Sequence, residues 1–82
     1  MFKNKRLLKF LNNPAGTRLA DIEHLLLSYG FMKIYAKGSH LKFKHKNLKQ
    51  DLIIPAHNND CKQFYKTLAA KILKKLTRYG NG

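Results

Sequence analysis

The chain has 82 residues, with 17 Lys and Arg against four Asp and Glu, for a formal charge of +13 at neutral pH. That length suits one small domain, residues 1–82, whose core is only marginally sufficient because a chain of this size buries roughly 60% of its unfolded surface. A hydrophobic content of 44% argues against disorder despite the charge, no eighteen apolar residues run together as a membrane span requires, and one cysteine, Cys61, leaves no internal disulfide.

The opening "MFKNKRLLKFL" is basic and then apolar, but Lys9 interrupts the run and no small-residue cleavage site follows, so it does not read as a signal peptide. A reducing cytoplasmic setting is the simpler expectation. Residues 3–11 carry Leu7, Leu8 and Leu11 at helical spacing, and Asn12, Asn13, Pro14 and Gly16 close the segment. This predicts a short helix within an N-terminal extension over 1–13. Thr17 is the expected N-cap of a second helix whose stripe is Leu19, Ile22, Leu25, Leu26 and Tyr29, with Asp21 and Glu23 near its positive end and Gly30 as its stop.

From Phe31 to Lys37 the β-branched and aromatic content rises, Gly38-Ser39 makes a turn, and His40 to His45 alternates with period two. The pattern predicts a hairpin, with Leu41 and Phe43 on one face of its second strand and His40, Lys42 and Lys44 on the other. A turn over residues 46–49 leads to a third strand, Gln50 to Ile54, which Pro55 should end for want of an amide proton. Asn58, Asn59 and Asp60 offer N-caps for a closing helix, Cys61 to Arg78, that buries Phe64, Leu68, Ile72 and Leu76 beside Cys61, Tyr65 and Leu73. Lys71, Lys74, Lys75 and Arg78 fall late in it, where the helix dipole favours cations. The order is helix, three antiparallel strands, helix: an α+β layer with one sheet face covered and the other left to solvent or a partner.

The positive field favours phosphate-rich or acidic partners, nucleic acid first. Neither GxxxxGK nor GxGxxG is present, which sets nucleotide hydrolysis aside. Asp21 and Glu23 lie about 200° apart around a helix, and Asp51 and Asp60 fall in different elements, so the carboxylates read as capping and helix-end charge. His40 and His45, five apart on a strand, face opposite ways, and His57 with Cys61 offers at most two ligands where zinc takes three or four, so no metal site is expected. Cys61 reads as a small core residue. His24 and His45 read as solvated, and His57 as an exposed loop residue near the start of the last helix.

His40 differs in its company. It shares a face with Lys42 and Lys44, and Lys37 lies across the turn. Transesterification of RNA needs a base for the 2'-hydroxyl proton and cations to hold the phosphate as charge accumulates, and no metal. On the residues alone, a histidine that only contacts phosphate fits the pattern too.

The helix "TRLADIEHLLLSYGF", the "KGSH" of Lys37 to His40, the "IPAH" of Ile54 to His57 and the closing "KTLAAKILKKL" follow one another between residues 12 and 77. In these motifs and their order the chain resembles the HicA family of toxin ribonucleases from bacterial and archaeal toxin-antitoxin systems. The resemblance implies a double-stranded-RNA-binding-domain-like fold, with helices on one face of a three-stranded antiparallel sheet. It also implies metal-independent mRNA cleavage, without a cofactor, that blocks translation. His40 would be the catalytic acid or base, Gly38 and Ser39 would shape the turn presenting it, and a cognate acidic HicB-like antitoxin would cover the active face. Lys37, Lys42 and Lys44 are then the expected phosphate contacts, and His57 either donates a second proton or lines the site. Two positions depart from the family: Leu41 follows the histidine where a second histidine or an aromatic residue is common, and Lys66-Thr67-Leu68 replaces glycine-threonine-leucine, adding a charge where the partner would dock. The alternatives are a non-catalytic RNA-binding module and a protein that binds an acidic partner; the charge suits all three, and only the Gly-Ser-His turn favours cleavage.

Overall fold

The computed structural model describes residues 4–35 and 38–77. Helix α1 (Lys5–Asn12) starts at Asn4, whose Oδ1 accepts the Leu7 amide at 3.0 Å while its Nδ2 donates to the Tyr29 hydroxyl at 3.2 Å. Its fully buried side chains are Leu7 and Phe10, with Leu8 and Leu11 half-buried. A 3₁₀ turn, Pro14–Gly16, leads into α2 (Leu19–Ser28). Thr17 does not cap α2. Its hydroxyl turns back to donate to the Asn13 carbonyl at 3.0 Å, and Arg18 holds the cap position without a side-chain hydrogen bond.

The α2 stripe forms as its spacing predicts, with Leu19, Ile22, Leu25 and Leu26 buried, Tyr29 packed beside them and His24 exposed. Gly30 ends the helix at φ +93°, a left-handed conformation that L side chains rarely adopt, and a Cβ there would meet the His45 ring at 3.3 Å.

Strands β1 (Met32–Tyr35), β2 (His40–Lys44), β3 (Leu52–His57) and β4 (Asp60–Cys61) form one antiparallel sheet in chain order. Gly38, at φ +74°, supplies the left-handed residue of the β1–β2 turn. Leu41, Phe43, Leu52 and Ile54 bury one sheet face, while His40, Lys44, Met32, Ile34 and Ile53 are exposed on the other.

Among the described residues the sheet has four strands rather than three, and β3 runs through Pro55 instead of ending there. The Ala56 amide donates to the Ser39 carbonyl at 3.0 Å, so the facing residues His40 and Pro55 occupy a position where neither needs the other's amide. The proline nitrogen is turned toward β4, which pairs only with Ala56 and His57. The missing proton therefore costs no ladder bond. Asn58 and Asn59, at φ +52° and +64°, then make the tight two-residue turn of a β3–β4 hairpin, for which asparagine is suited; they cap no helix.

Helix α3 (Gln63–Thr77) packs on α1, α2 and the 3₁₀ turn. Its buried residues are Lys66, Ala69, Ala70 and Leu73, with Leu68, Ile72 and Leu76 half-buried. Phe64, expected inside, is 68% exposed. The helix is turned so that the two alanines, small enough for close approach, and Leu73 meet the core, which carries Phe64 outward. Cys61 is on β4 rather than the helix and packs against the core as a small half-buried residue. Arg78 lies outside the described residues.

Candidate functional site

Strand β2 sets the site. With Leu41 and Phe43 held in the core, its alternation presents His40, Lys42 and Lys44 on the opposite face. The same alternation on β3 puts Ile54 inside and Ile53, Pro55 and His57 on that outer face. Because His40 faces Pro55 in register, His57 is its diagonal neighbour, a spacing of about 7–8 Å. The strand thus brings together two exposed imidazoles that the sequence leaves in separate segments, and His57 is the last residue of a strand, not a loop residue. Gly38 and Ser39 line a cleft of about 510 Å³ with His57, Asn58, Asn59 and the start of α2, and a second cleft of about 490 Å³ runs from Ser39, Pro55 and His57 to Tyr65; His57 borders both, and His40 lines neither.

Lys44 is exposed, facing Met32 of β1 in register. Lys42 stands between Ile34 and Ile53 and points its ammonium toward Asp51 at 3.7 Å, a distance that leaves it able to turn to a phosphate. Lys37 lies outside the described residues.

Several polar residues away from this face have structural partners. His45, expected to be solvated, is held at both ring nitrogens: Nε2 lies 3.1 Å from the Tyr29 carbonyl and Nδ1 accepts the Asn47 amide at 3.0 Å. Those two partners define the neutral Nε2–H tautomer. The ring also packs on Phe31 with centroids 4.7 Å apart, which ties the end of β2 to the end of α2. Glu23 receives Lys33 at 2.6 Å. Burial pushes the Cys61 thiol above its usual value, the opposite of what a thiolate nucleophile requires. Among the described residues no three of His, Cys, Asp and Glu come together.

Asp60 and Lys66 form a latch that sequence reading did not foresee. Lys66 is only 6% exposed, and its ammonium lies 3.0 Å from the Asp60 carboxylate. The charge that replaces the family's glycine therefore points inward, fastening α3 to the β3–β4 hairpin, rather than outward to a partner. Lys66 holds the Asp60 carboxyl below the usual 3.8, helped by the Cys61 amide, which donates to it at 2.9 Å, and by the Leu19 amide at the start of α2. Because the folded-state value is depressed, this contribution to stability is present above the unfolded value and is lost as pH falls through the folded one. Chemical denaturation should therefore show stability dropping below about pH 4, and Asp60→Asn should flatten that acid limb. Identical acid limbs in the two proteins would remove Asp60 from the account.

A small basic α+β domain, built like a double-stranded-RNA-binding domain with a short helix added in front, presents two histidines and lysines on the open face of its sheet. The family model for the HicA toxin of bacterial toxin-antitoxin systems matches residues 20–77, and the chain belongs to that family. It is thus a toxin of the kind kept in check by an antitoxin. Comparison with curated proteins and with solved structures found no match. The matched segment begins within α2, so α1 lies outside it. Among the described residues no helix is long and apolar enough to cross a membrane.

Proposed function

We propose that this toxin is a metal-independent mRNA endoribonuclease that stops translation in the cytoplasm, with His40 as its general base or acid. The observation that supports this reading is the diagonal placement of His40 and His57 on one basic face beside the Gly38-Ser39 turn. In transesterification the 2'-oxygen attacks phosphorus in line with the departing 5'-oxygen, so proton acceptor and proton donor must stand on opposite sides of the phosphate. Two imidazoles carried by diagonal neighbours, residues about 7–8 Å apart, are placed to straddle a phosphate in that way. His40 takes the 2'-hydroxyl proton as the new P–O bond forms, and His57 gives a proton to the 5'-oxygen as the old bond breaks. Lys42 and Lys44, with Lys37, hold the phosphate oxygens as charge builds on them. The partner that fits the face is an acidic HicB-like antitoxin, whose carboxylates would pair with these lysines while Met32, Ile34 and Ile53 supply apolar contact.

Incubation of the purified protein with mRNA and a chelator tests the reading. Cutting should proceed and leave 2',3'-cyclic phosphate and 5'-hydroxyl ends. Salt-sensitive binding without cutting would replace it with a non-catalytic module that engages A-form RNA through phosphates and 2'-hydroxyls.

A further inference from the structure

Phe64 is the most exposed of the large hydrophobic side chains among the described residues. It is the second residue of α3, held outward by the inward turn of Lys66, Ala69 and Leu73, and its ring makes a T-shaped contact with Tyr65 at a centroid distance of 5.1 Å and an interplanar angle of 89°. Tyr65 is half-buried and forms one wall of the 490 Å³ cleft that Ser39, Pro55, His57 and Lys62 also line. An aromatic face therefore stands beside the wall of the cleft that His57 lines, next to a lysine. A single exposed apolar residue needs no explanation by itself. An aromatic braced by a second aromatic, beside a cation and continuous with a phosphate-handling face, has the composition of a site where an unstacked base lies on a ring while its phosphate is held by charge.

We propose that Phe64, braced by Tyr65, is a stacking platform for one unpaired nucleobase flanking the scissile phosphate, with Lys62 contacting the adjoining phosphate. The proposal rests on the RNA-cleaving reading above and extends it to substrate form: the RNA enters single-stranded, because a base within a duplex would first have to break its pair and its stacking to lie on Phe64. Stacking is sequence-tolerant, so the platform selects for an unpaired base more than for its identity.

The chain has no tryptophan, so Phe64→Trp in the full chain, combined with His40→Ala to prevent cutting, places a single fluorescent reporter at the platform. A single-stranded oligoribonucleotide should quench it, and the same strand made abasic, or annealed to its complement, should not. Phe64→Ala should weaken single-strand binding on the order of 10-fold, leave duplex binding and the melting temperature unchanged, and raise KM for cleavage. Phe64→Leu, apolar but not stacking, should behave as Phe64→Ala does. The proposal is overturned if Phe64→Ala binds and cuts like the parent, if single-strand and duplex binding fall together, or if the variant loses only its hold on an acidic antitoxin. Quenching of the Phe64→Trp reporter by the single strand, together with a parent protein that never cuts, would keep the platform and remove the nuclease reading, so the two failures are distinct.

Discussion

Replacing His40 with alanine should lower the rate of RNA cleavage by roughly 10²–10⁴-fold, the range that one positioned acid or base supplies. The imidazole is exposed at the head of β2, with its neighbours Leu41 and Phe43 doing the packing. Its loss should therefore leave stability within about 0.5 kcal/mol of the parent, as for most surface substitutions. Binding of RNA should also persist with the same steep salt dependence, because that depends on the number of phosphates neutralised by lysines rather than on one imidazole. The measurements are single-turnover cleavage, thermal melting and binding across a salt series. Full activity in His40→Ala would sink the catalytic assignment, whereas equal loss of binding and cutting would make His40 a phosphate contact. His57→Ala separates the roles further: a donor to the leaving oxygen is lost with a fall in kcat, a residue that merely lines the cleft with a rise in KM.

Phe43→Ala should be the most damaging single substitution in the sheet. Phe43 is fully buried on the inward face of β2, facing Lys33 on one side and Leu52 on the other in register. Truncating a buried phenylalanine to alanine costs about 3–5 kcal/mol through lost transfer energy and the cavity left behind. A domain this small has about 5–15 kcal/mol in total, and each kcal/mol lowers the melting temperature by about 4–8 °C at this length. Because the same strand carries His40, Lys42 and Lys44 on its other face, activity should fall with the folded fraction, and an antitoxin that binds the folded face should restore part of it by mass action. A Phe43→Ala protein with an unchanged midpoint in urea would show that β2 is not anchored as described.

The elements that could be read from the chain are those whose apolar residues alone define a face. Leu19, Ile22, Leu25 and Leu26 lie on one side of α2 and are buried there, and the alternation of Leu41 and Phe43 with His40, Lys42 and Lys44 fits only one strand orientation. In α3 the same logic held for Leu68, Ile72, Leu73 and Leu76, which pack in or against the core, and failed for Phe64. Phe64, Leu68, Ile72 and Leu76 are the largest apolar residues at regular spacing, yet close approach to α1 and α2 favours the small Ala69 and Ala70, which a hydrophobicity pattern underweights, and Lys66 enters the interior because Asp60 is there to meet it. Strand β4 has two residues, too few to show any period; the adjacent asparagines were its one signal, since two consecutive left-handed residues suit a tight hairpin.

By itself the sequence determined the basic character, the order of helix, hairpin and helix, and which side of β2 carries the histidine, because these follow from charge and from local period. Tertiary structure alone decided that β3 continues through Pro55, that His57 becomes the diagonal neighbour of His40, that Lys66 points inward and that Phe64 points out. Each of these depends on strand register or on a contact between residues of different elements, and no local pattern records which distant partner a side chain will meet.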